Sequence, residues 1–306
     1  MNMLQWSEKI HVGISACNYG CHVRYNRKGW DLVKHIGRDQ ESFVFHPMCP
    51  EVMSGMGVPR PSIRIKGENG EKVWLGEGEV VDSHGRNWSE PLMQACQTVL
   101  DVIDRQNIKV YIFMEGSPTC GVHRTTLKNK RLGKPPGVLG AKLLEKGLFL
   151  IDGVTLQSPI KWWDVQRRLL AWLYLEQLDI LDKKQLYDLW HNYKFLCQEL
   201  SEVEARALGH RIASLPKHVP VEVFSEIKGI MMDILRKPST SAKIRQMLWK
   251  HYTYLRRKKG LVLDEVRSPE DLRGMQQVAR ELQLLMRTSR DQEYLYGQMP
   301  VMFGRK

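Results

Sequence analysis

Short apolar runs alternate with longer amphipathic stretches over the first half of the chain. Residues 10–15 (IHVGIS), 42–47, 109–114 and 147–152 have the length and the β-rich composition of buried strands. Between the second and third of these runs, apolar residues recur at i, i+4, i+7 and i+8 in EPLMQACQTVLDVIDRQ, which predicts a helix with one buried face. Strands separated by helices predict an α/β domain with a Rossmann-like parallel sheet.

Two further segments refine this prediction. PPGVLGAKLLEKG begins with prolines and ends with glycine, as a helix does. SIRIKGENGEKVWLGEG predicts a hairpin that turns at Asn69-Gly70. No G-x-G-x-x-G follows the first strand, so neither a nicotinamide nor a flavin cofactor is indicated.

The pattern changes after residue 157. From SPIKWWDVQRRLLAWLYLEQL to about residue 290 the apolar spacing is helical, with breaks at prolines and at Gly260. We therefore expect a first domain over residues 1–157, a connecting helix over 158–185 and an all-α, basic domain over 186–306.

Composition and charge narrow the function. The 306 residues carry 46 Lys and Arg against 34 Asp and Glu, a net charge of +12, which favours a polyanionic partner such as nucleic acid. No apolar stretch is long enough for a membrane span and no secretory signal is visible, so we expect a cytoplasmic protein. Six cysteines in that compartment indicate reduced thiols that are buried, reactive or metal-binding.

Three of these cysteines follow predicted strands. Cys17, Cys49 and Cys120 each lie just past the carboxyl end of a strand, the edge at which open α/β sheets bind ligands. They are either small buried residues or ligands of a soft metal centre. Zinc would need a fourth ligand. An iron–sulfur cluster more often takes four cysteines, so Cys21 is a possible fourth ligand.

The same stretches resemble the thiouracil desulfidase family. ISACNYGCHVRY, HPMCPEVMSGMGVPRPSIRI and EGSPTCG are similar to three ordered signatures of that family. The resemblance implies a [4Fe-4S] cluster held by Cys17, Cys49 and Cys120 with one iron that no protein ligand binds. It also implies Glu51 and Ser117 as the catalytic carboxylate and hydroxyl. We expect removal of sulfur from thiolated uracil without redox change.

Residues near these motifs are candidates for substrate contacts. Arg24 and Tyr25 could hydrogen-bond or stack on a base, although a salt bridge and a packed ring are equally consistent with the sequence. A basic stretch that includes Arg124 and Lys128 begins four residues after Cys120, and no acid occurs from 116 to 144. Such a rim suits a nucleotide within a polyanion.

The second domain adds a basic helix. Residues 234–263 contain nine Lys or Arg and no acid, with an N-cap among residues 239–241 and a stop at Gly260. A helical projection puts these side chains opposite the apolar face: Arg245, Trp249, Lys250, Arg256 and Arg257. An exposed tryptophan beside arginines favours RNA contact over a merely solvated face.

This domain resembles the YbgA-type domain as far as about residue 265, and such fusions are similar to tRNA 4-thiouridine desulfidases. The resemblance implies conversion of 4-thiouridine in tRNA to uridine and sulfide. Two alternatives stay open: a desulfidase of free thiouracil, and a non-catalytic RNA-binding protein with a metal or iron–sulfur centre.

Overall fold

The fold is given by a computed structural model, which describes residues 4–127, 130–292 and 297–304. The strands are β1 Leu4–Trp6, β2 Ile10–Ser15, β3 Phe43–Met48, β4 Ile63–Lys66, β5 Glu79–Asp82, β6 Val110–Phe113, β7 Thr126–Leu127, β8 Lys130–Arg131, β9 Phe149–Asp152 and β10 Val301–Phe303. The helices are α1 Pro50–Met53, α2 Gly70–Trp74, α3 Ser89–Arg105, α4 Val138–Glu145, α5 Pro159–Gln177, α6 Lys183–Leu200, α7 Glu202–Ala213, α8 Val221–Arg236, α9 Ser241–Lys259 and α10 Met275–Asp291.

A four-stranded parallel sheet in the order β3-β2-β6-β9 organises the first unit, residues 8–157. The two inner strands are buried almost throughout, as the continuous apolar runs predict for a parallel sheet. The predicted α/β class and its parallel sheet are therefore confirmed. Helix α3 turns its apolar stripe towards the same core, where Leu92, Cys96 and Val99 are fully buried.

The predicted hairpin is right in its strands and wrong in its turn. β4 and β5 pair antiparallel, with Ile63 opposite Asp82. Asn69, however, does not form a two-residue turn. Its side-chain oxygen accepts a hydrogen bond from the Lys72 N–H at 3.1 Å and caps α2.

The second unit joins the segment that ends at Ser7 to the segment that begins at Ser158. It is helical, as predicted, with one addition: β1 pairs with β10 in a parallel two-stranded ladder. Helix α5 belongs to this unit by its contacts. In the described part of the chain, no helix is long and apolar enough to cross a membrane.

Candidate active site

A cavity of about 290 Å³ opens at the carboxyl edge of the sheet in the first unit. Cys17, Cys49 and Cys120 all line it, although 32 and 71 residues separate them along the chain. The topology brings them together because β2, β3 and β6 are neighbouring parallel strands and end at the same edge. The volume of the cavity is near the lower limit of small-molecule pockets, which suits a ligand of the size of a nucleobase.

Backbone and amide hydrogen bonds fix the loop that carries Cys17. A short 3₁₀ segment, Ala16–Asn18, continues from β2. The buried Asn18 side chain donates to the Phe113 carbonyl at 3.0 Å, and the Trp30 N–H donates to the Cys17 carbonyl at 2.7 Å. These contacts tie the loop to β6, the strand that leads to Cys120.

Cys49 is the N-cap of the short helix α1, with Pro50 in its first turn. The N–H groups of Val52 and Met53 both donate to the Cys49 carbonyl at 3.1 Å. Glu51 follows in the first turn and lines the same cavity. The sequence CPE therefore places a thiol and a carboxylate side by side, because proline starts the helix between them.

Cys120 lies in a tight turn that the serine of SPTCG organises. The Ser117 hydroxyl oxygen accepts the backbone N–H groups of Thr119 and Cys120, both at 3.1 Å. Two carbonyls of this turn accept hydrogen bonds from the start of α4. The Leu139 N–H donates to the Thr119 carbonyl at 2.8 Å, and the Val138 N–H donates to the Pro118 carbonyl at 3.0 Å. The otherwise unpaired N–H groups of a helix N-terminus thus hold the turn in place.

The electrostatics of the three thiols indicate which cofactor suits them. Burial raises the pKa of the Cys17 thiol to about 12, with Arg24 opposing the shift, and it raises the pKa values of Cys49 and Cys120 as well. Each negative charge in the group would also repel the others. Three thiolates are therefore unfavourable here unless a cation compensates their charge. Iron suits this place because it is positively charged and because thiolates are the soft ligands that it binds well in clusters.

Among the described residues, no three His, Cys, Asp or Glu side chains are close enough together to hold a single metal ion. A four-iron cube is wider than an ion, and its thiolates attach at separate corners. Three thiols that line one cavity are a donor set that could hold such a cluster. None of Cys21, Cys96 and Cys197 lines the cavity: Cys21 is half-buried, and the other two are buried within α3 and α6.

Glu51 lies at the centre of a polar network that the sequence only half reveals. The Arg60 guanidinium donates to Glu51 Oε2 through Nε at 3.1 Å and through a second, shorter contact from Nη2. The Thr119 hydroxyl donates to Oε1 at 2.9 Å, and the Ser117 hydroxyl lies 3.4 Å from the same atom. Glu51 and Ser117 therefore share one site, as the resemblance implies.

Sequence reasoning missed Arg60 and Thr119. Arg60 lies in the loop PRPS, where no periodic pattern identifies a buried face, yet its side chain is only 3% exposed. It also donates to the carbonyls of Val23 at 2.8 Å and Gly57 at 3.1 Å, so one guanidinium joins its own loop to α1 and to the loop that contains Val23. The one available signal was its position nine residues after Glu51, inside the second motif.

The candidate substrate contacts divide into two groups. Arg24 and Tyr25 line the cavity, and the Arg24 guanidinium stacks 4.2 Å from the centre of the Trp30 ring. Arg124 is exposed beyond the turn, and Lys128 lies outside the described residues. Lys130, which is exposed and lines the cavity mouth, is the described cation of this stretch closest to the thiols' cavity.

Helix α9 in the second unit has the predicted caps. The Thr240 hydroxyl accepts the Lys243 N–H at 3.2 Å, and Gly260 ends the helix in the left-handed conformation with φ of 66°. The sequence predicts an apolar face of Ile244, Met247, Leu248, Tyr252 and Leu255; all of these are buried except Met247, which is half-buried.

The opposite face of α9 differs from the prediction in two side chains. Trp249 is not exposed: it is half-buried and tilts against the Tyr252 ring, with 5.7 Å between the ring centres. Arg245 is also half-buried, and its Nε has no hydrogen-bond partner in the described part of the chain. Lys250, Arg256 and Arg257 are exposed, as expected. A helical projection could not show that Trp249 lies at the boundary between the two faces.

Comparison with known proteins finds similarity over the part of the chain that carries these motifs. Residues 12–153 match the family described as 2-thiouracil desulfurase. The uncharacterized protein YbbK of Bacillus subtilis (strain 168) is 27% identical over 144 residues, which cover 45% of this chain and 93% of that protein. A solved structure of a [4Fe-4S]-dependent thiouracil desulfidase, TudS, is 26% identical and covers 48% of this chain and 90% of that one, with a TM-score of 0.37.

Proposed function

Since residues 12–153 match the 2-thiouracil desulfurase family, we propose that the chain is an iron–sulfur-dependent, non-redox desulfidase that acts on thiolated uridine in tRNA, most specifically 4-thiouridine. One observation carries the proposal: Cys17, Cys49 and Cys120 line a single cavity together with the Glu51 carboxylate. The proposal places the reaction in the cytoplasm, where thiols stay reduced.

The reaction is a hydrolysis. Water provides the oxygen, the carbon–sulfur double bond is replaced by a carbon–oxygen double bond, and sulfur leaves as hydrogen sulfide with no net transfer of electrons. The three cysteines would hold a [4Fe-4S] cluster. When bound, this group supplies a Lewis-acidic iron that no protein ligand occupies and that suits the soft sulfur of the substrate.

The remaining steps belong to side chains of the cavity. Glu51 accepts a proton from the attacking water and returns one to the departing sulfur, which is general acid–base catalysis worth about 10² to 10⁴ in rate. Arg60 binds Oε2 of this carboxylate, so Oε1 faces the hydroxyls of Thr119 and Ser117. Because the Ser117 oxygen already accepts two N–H groups, its proton is directed to Glu51 or to a bound water.

Positive charge supports an RNA substrate over a free base. Lys130 lies at the cavity mouth, and Arg131 and Arg124 are exposed near it. In the second unit, Arg256 and Arg257 are exposed in the last turn of α9 and form no salt bridge within the described residues. Phosphate contacts of this kind give affinity without sequence preference, and the target base would leave its stack to enter the cavity.

The test compares two substrates on anaerobically reconstituted protein. Thiolated tRNA and free 2-thiouracil are supplied at 50 and 200 mM salt, and sulfide and the nucleoside or base product are measured. We expect turnover of tRNA that falls about tenfold or more at the higher salt, because phosphate contacts release counterions. Turnover of the free base alone would favour the free-thiouracil alternative. No sulfide from either substrate with the cluster present would favour a binding protein.

A pair of variants addresses the second unit. Replacement of Arg256 and Arg257 by alanine should weaken turnover of tRNA and reduce its logarithmic salt slope by about 2, while leaving any turnover of 2-thiouracil unchanged. Arg206→Ala is the matched control, because Arg206 is exposed on α7 but paired with Glu202. Equal salt slopes in the double variant and the wild type would remove α9 from the RNA interface.

A further inference from the structure

Two buried hydroxyl groups, those of Ser15 and Tyr111, lie beside the thiols and contact each other only in poor hydrogen-bond geometry. Ser15 is 2% exposed and Tyr111 is fully buried. Neither Ser15 Oγ nor the Tyr111 hydroxyl makes a hydrogen bond of normal geometry within the described residues. A hydroxyl in the interior without a well-formed hydrogen bond is destabilising, so a native chain keeps one where another group completes it.

A glycine allows Tyr111 to reach this place. Tyr111 on β6 pairs with Gly13 on β2. A Cβ atom at Gly13 would lie 2.5 Å from Cδ2 of the Tyr111 ring and 3.2 Å from the Met48 methyl. The ring therefore packs against the bare backbone of Gly13 on β2, a place that a side chain at this position would occupy.

Ser15 completes the arrangement from the neighbouring strand. It is the last residue of β2, two positions before Cys17, and it lines the cavity. Burial raises the pKa of the Tyr111 hydroxyl and of the Cys120 thiol, and Ser15 opposes the shift of both groups by partial hydrogen bonding. Negative charge on any of the three thiols would raise the pKa of Tyr111 further, because its hydroxyl lies near all three.

We propose that Ser15 and Tyr111 are hydrogen-bond donors to the sulfur atoms of the iron–sulfur site, with Cys120 as the first acceptor. The inference rests on the proposed function, because it requires thiolate or sulfide acceptors. Hydrogen bonds to cluster sulfurs stabilise the more negative, reduced state and retain the ligands. Both residues are positioning residues: they act on the cofactor through its ligands.

The experiment uses Ser15→Ala, Tyr111→Phe and the double variant in the full chain, loaded anaerobically and assayed for iron and sulfide. The midpoint potential of the cluster is measured by optical titration, and the rate of cluster loss is measured in the presence of a chelator. Each single variant should have a more negative potential and lose its cluster several-fold faster, and the double variant should show the larger change. Tyr193→Phe is the control, because that buried hydroxyl is satisfied by the Ala171 carbonyl at 2.9 Å in the other unit.

A measurement on the metal-free chain separates this role from ordinary packing. Without a cluster, Tyr111→Phe should raise the melting temperature, because it removes a buried hydroxyl without a well-formed hydrogen bond, whereas the loaded chain should gain nothing or lose stability. Loaded variants with wild-type potential and wild-type rate of cluster loss would overturn the inference alone. Wild-type protein that takes up no iron and sulfide would overturn the proposed function as well. If Tyr111→Phe does not fold, Ser15→Ala decides the outcome.

Discussion

Arg60→Met tests whether the candidate site depends on a residue that no motif pattern identifies. The substitution keeps much of the side-chain volume and removes every donor. Arg60 makes four hydrogen bonds, two to Glu51 Oε2 and one each to the carbonyls of Val23 and Gly57. Its side chain is 3% exposed and that of Glu51 is 15% exposed, so water replaces few of these contacts.

The magnitude follows from what is left unpaired. Removing one partner of a buried ion pair costs about 3–5 kcal/mol, because the other charge stays buried. Glu51 keeps its contact with Thr119 and is partly exposed, which favours the lower end of that range. The two carbonyls that lose their donor add about 1 kcal/mol each at the lower limit for unsatisfied groups. We expect a loss of about 5 kcal/mol, or about 15 °C in the melting temperature of the first unit.

The assay is urea denaturation followed by circular dichroism, with all variants in the same metal-free state. Arg64→Met is the matched control: Arg64 is exposed on β4, and its loss should change the free energy of unfolding by less than about 0.5 kcal/mol. Combination with Glu51→Gln completes a double-mutant cycle. A loss below about 1 kcal/mol for Arg60→Met, or strict additivity with Glu51→Gln, would refute the reasoning.

Three further changes test other parts of the structure. Cys21→Ala should leave the iron and sulfide content unchanged after reconstitution, because Cys21 does not line the cavity; a loss of half or more would indicate a fourth ligand. Gly13→Ala should lower the free energy of unfolding, measured by urea denaturation, by about 1–3 kcal/mol, because the new methyl group would overlap the Tyr111 ring. Gly229→Ala is the control: its methyl group would meet nothing within 4 Å, so the change should be neutral or stabilising. Burial lowers the pKa of His251 to about 4, so the unfolded chain takes up a proton first as the pH falls below about 6.5. The folded state should therefore lose about 1–2 kcal/mol of stability between pH 7 and pH 5. His251→Gln should remove that part of the pH dependence, and an equal slope of stability against pH in the variant and the wild type would contradict it.

The parallel sheet could be predicted from sequence because its strands are buried on both faces. Continuous apolar runs such as IHVGIS and KVYIFM have no polar alternation to confuse with a helix face, and the structure places β2 and β6 within them. The convergence of Cys17, Cys49 and Cys120 then follows from topology alone, since parallel neighbours end at one edge.

Features that depend on long-range loop contacts could not be predicted. Arg60 has its role because α1 and the loop that contains Val23 both meet it, and nothing in PRPS indicates which carbonyls it will contact. Asn69 illustrates a different limit: asparagine before glycine is typical of a tight turn, but the same side chain is an excellent helix cap. The local chemistry allows both, and the surrounding chain decides.

The pairing of β1 with β10 has a consequence for synthesis and for dissection of the chain. β1 precedes the whole first unit along the chain and β10 follows the last helix, so β1 is synthesised long before its partner. The sheet of the first unit can finish folding during that delay, while the backbone of β1 has no partner strand. A fragment that starts at Ser158 would contain β10 without its partner strand β1. We expect the unpaired edge of β10 to associate with other copies of the fragment. Joining Leu4–Trp6 to the fragment through a flexible linker should restore a well-behaved monomeric unit.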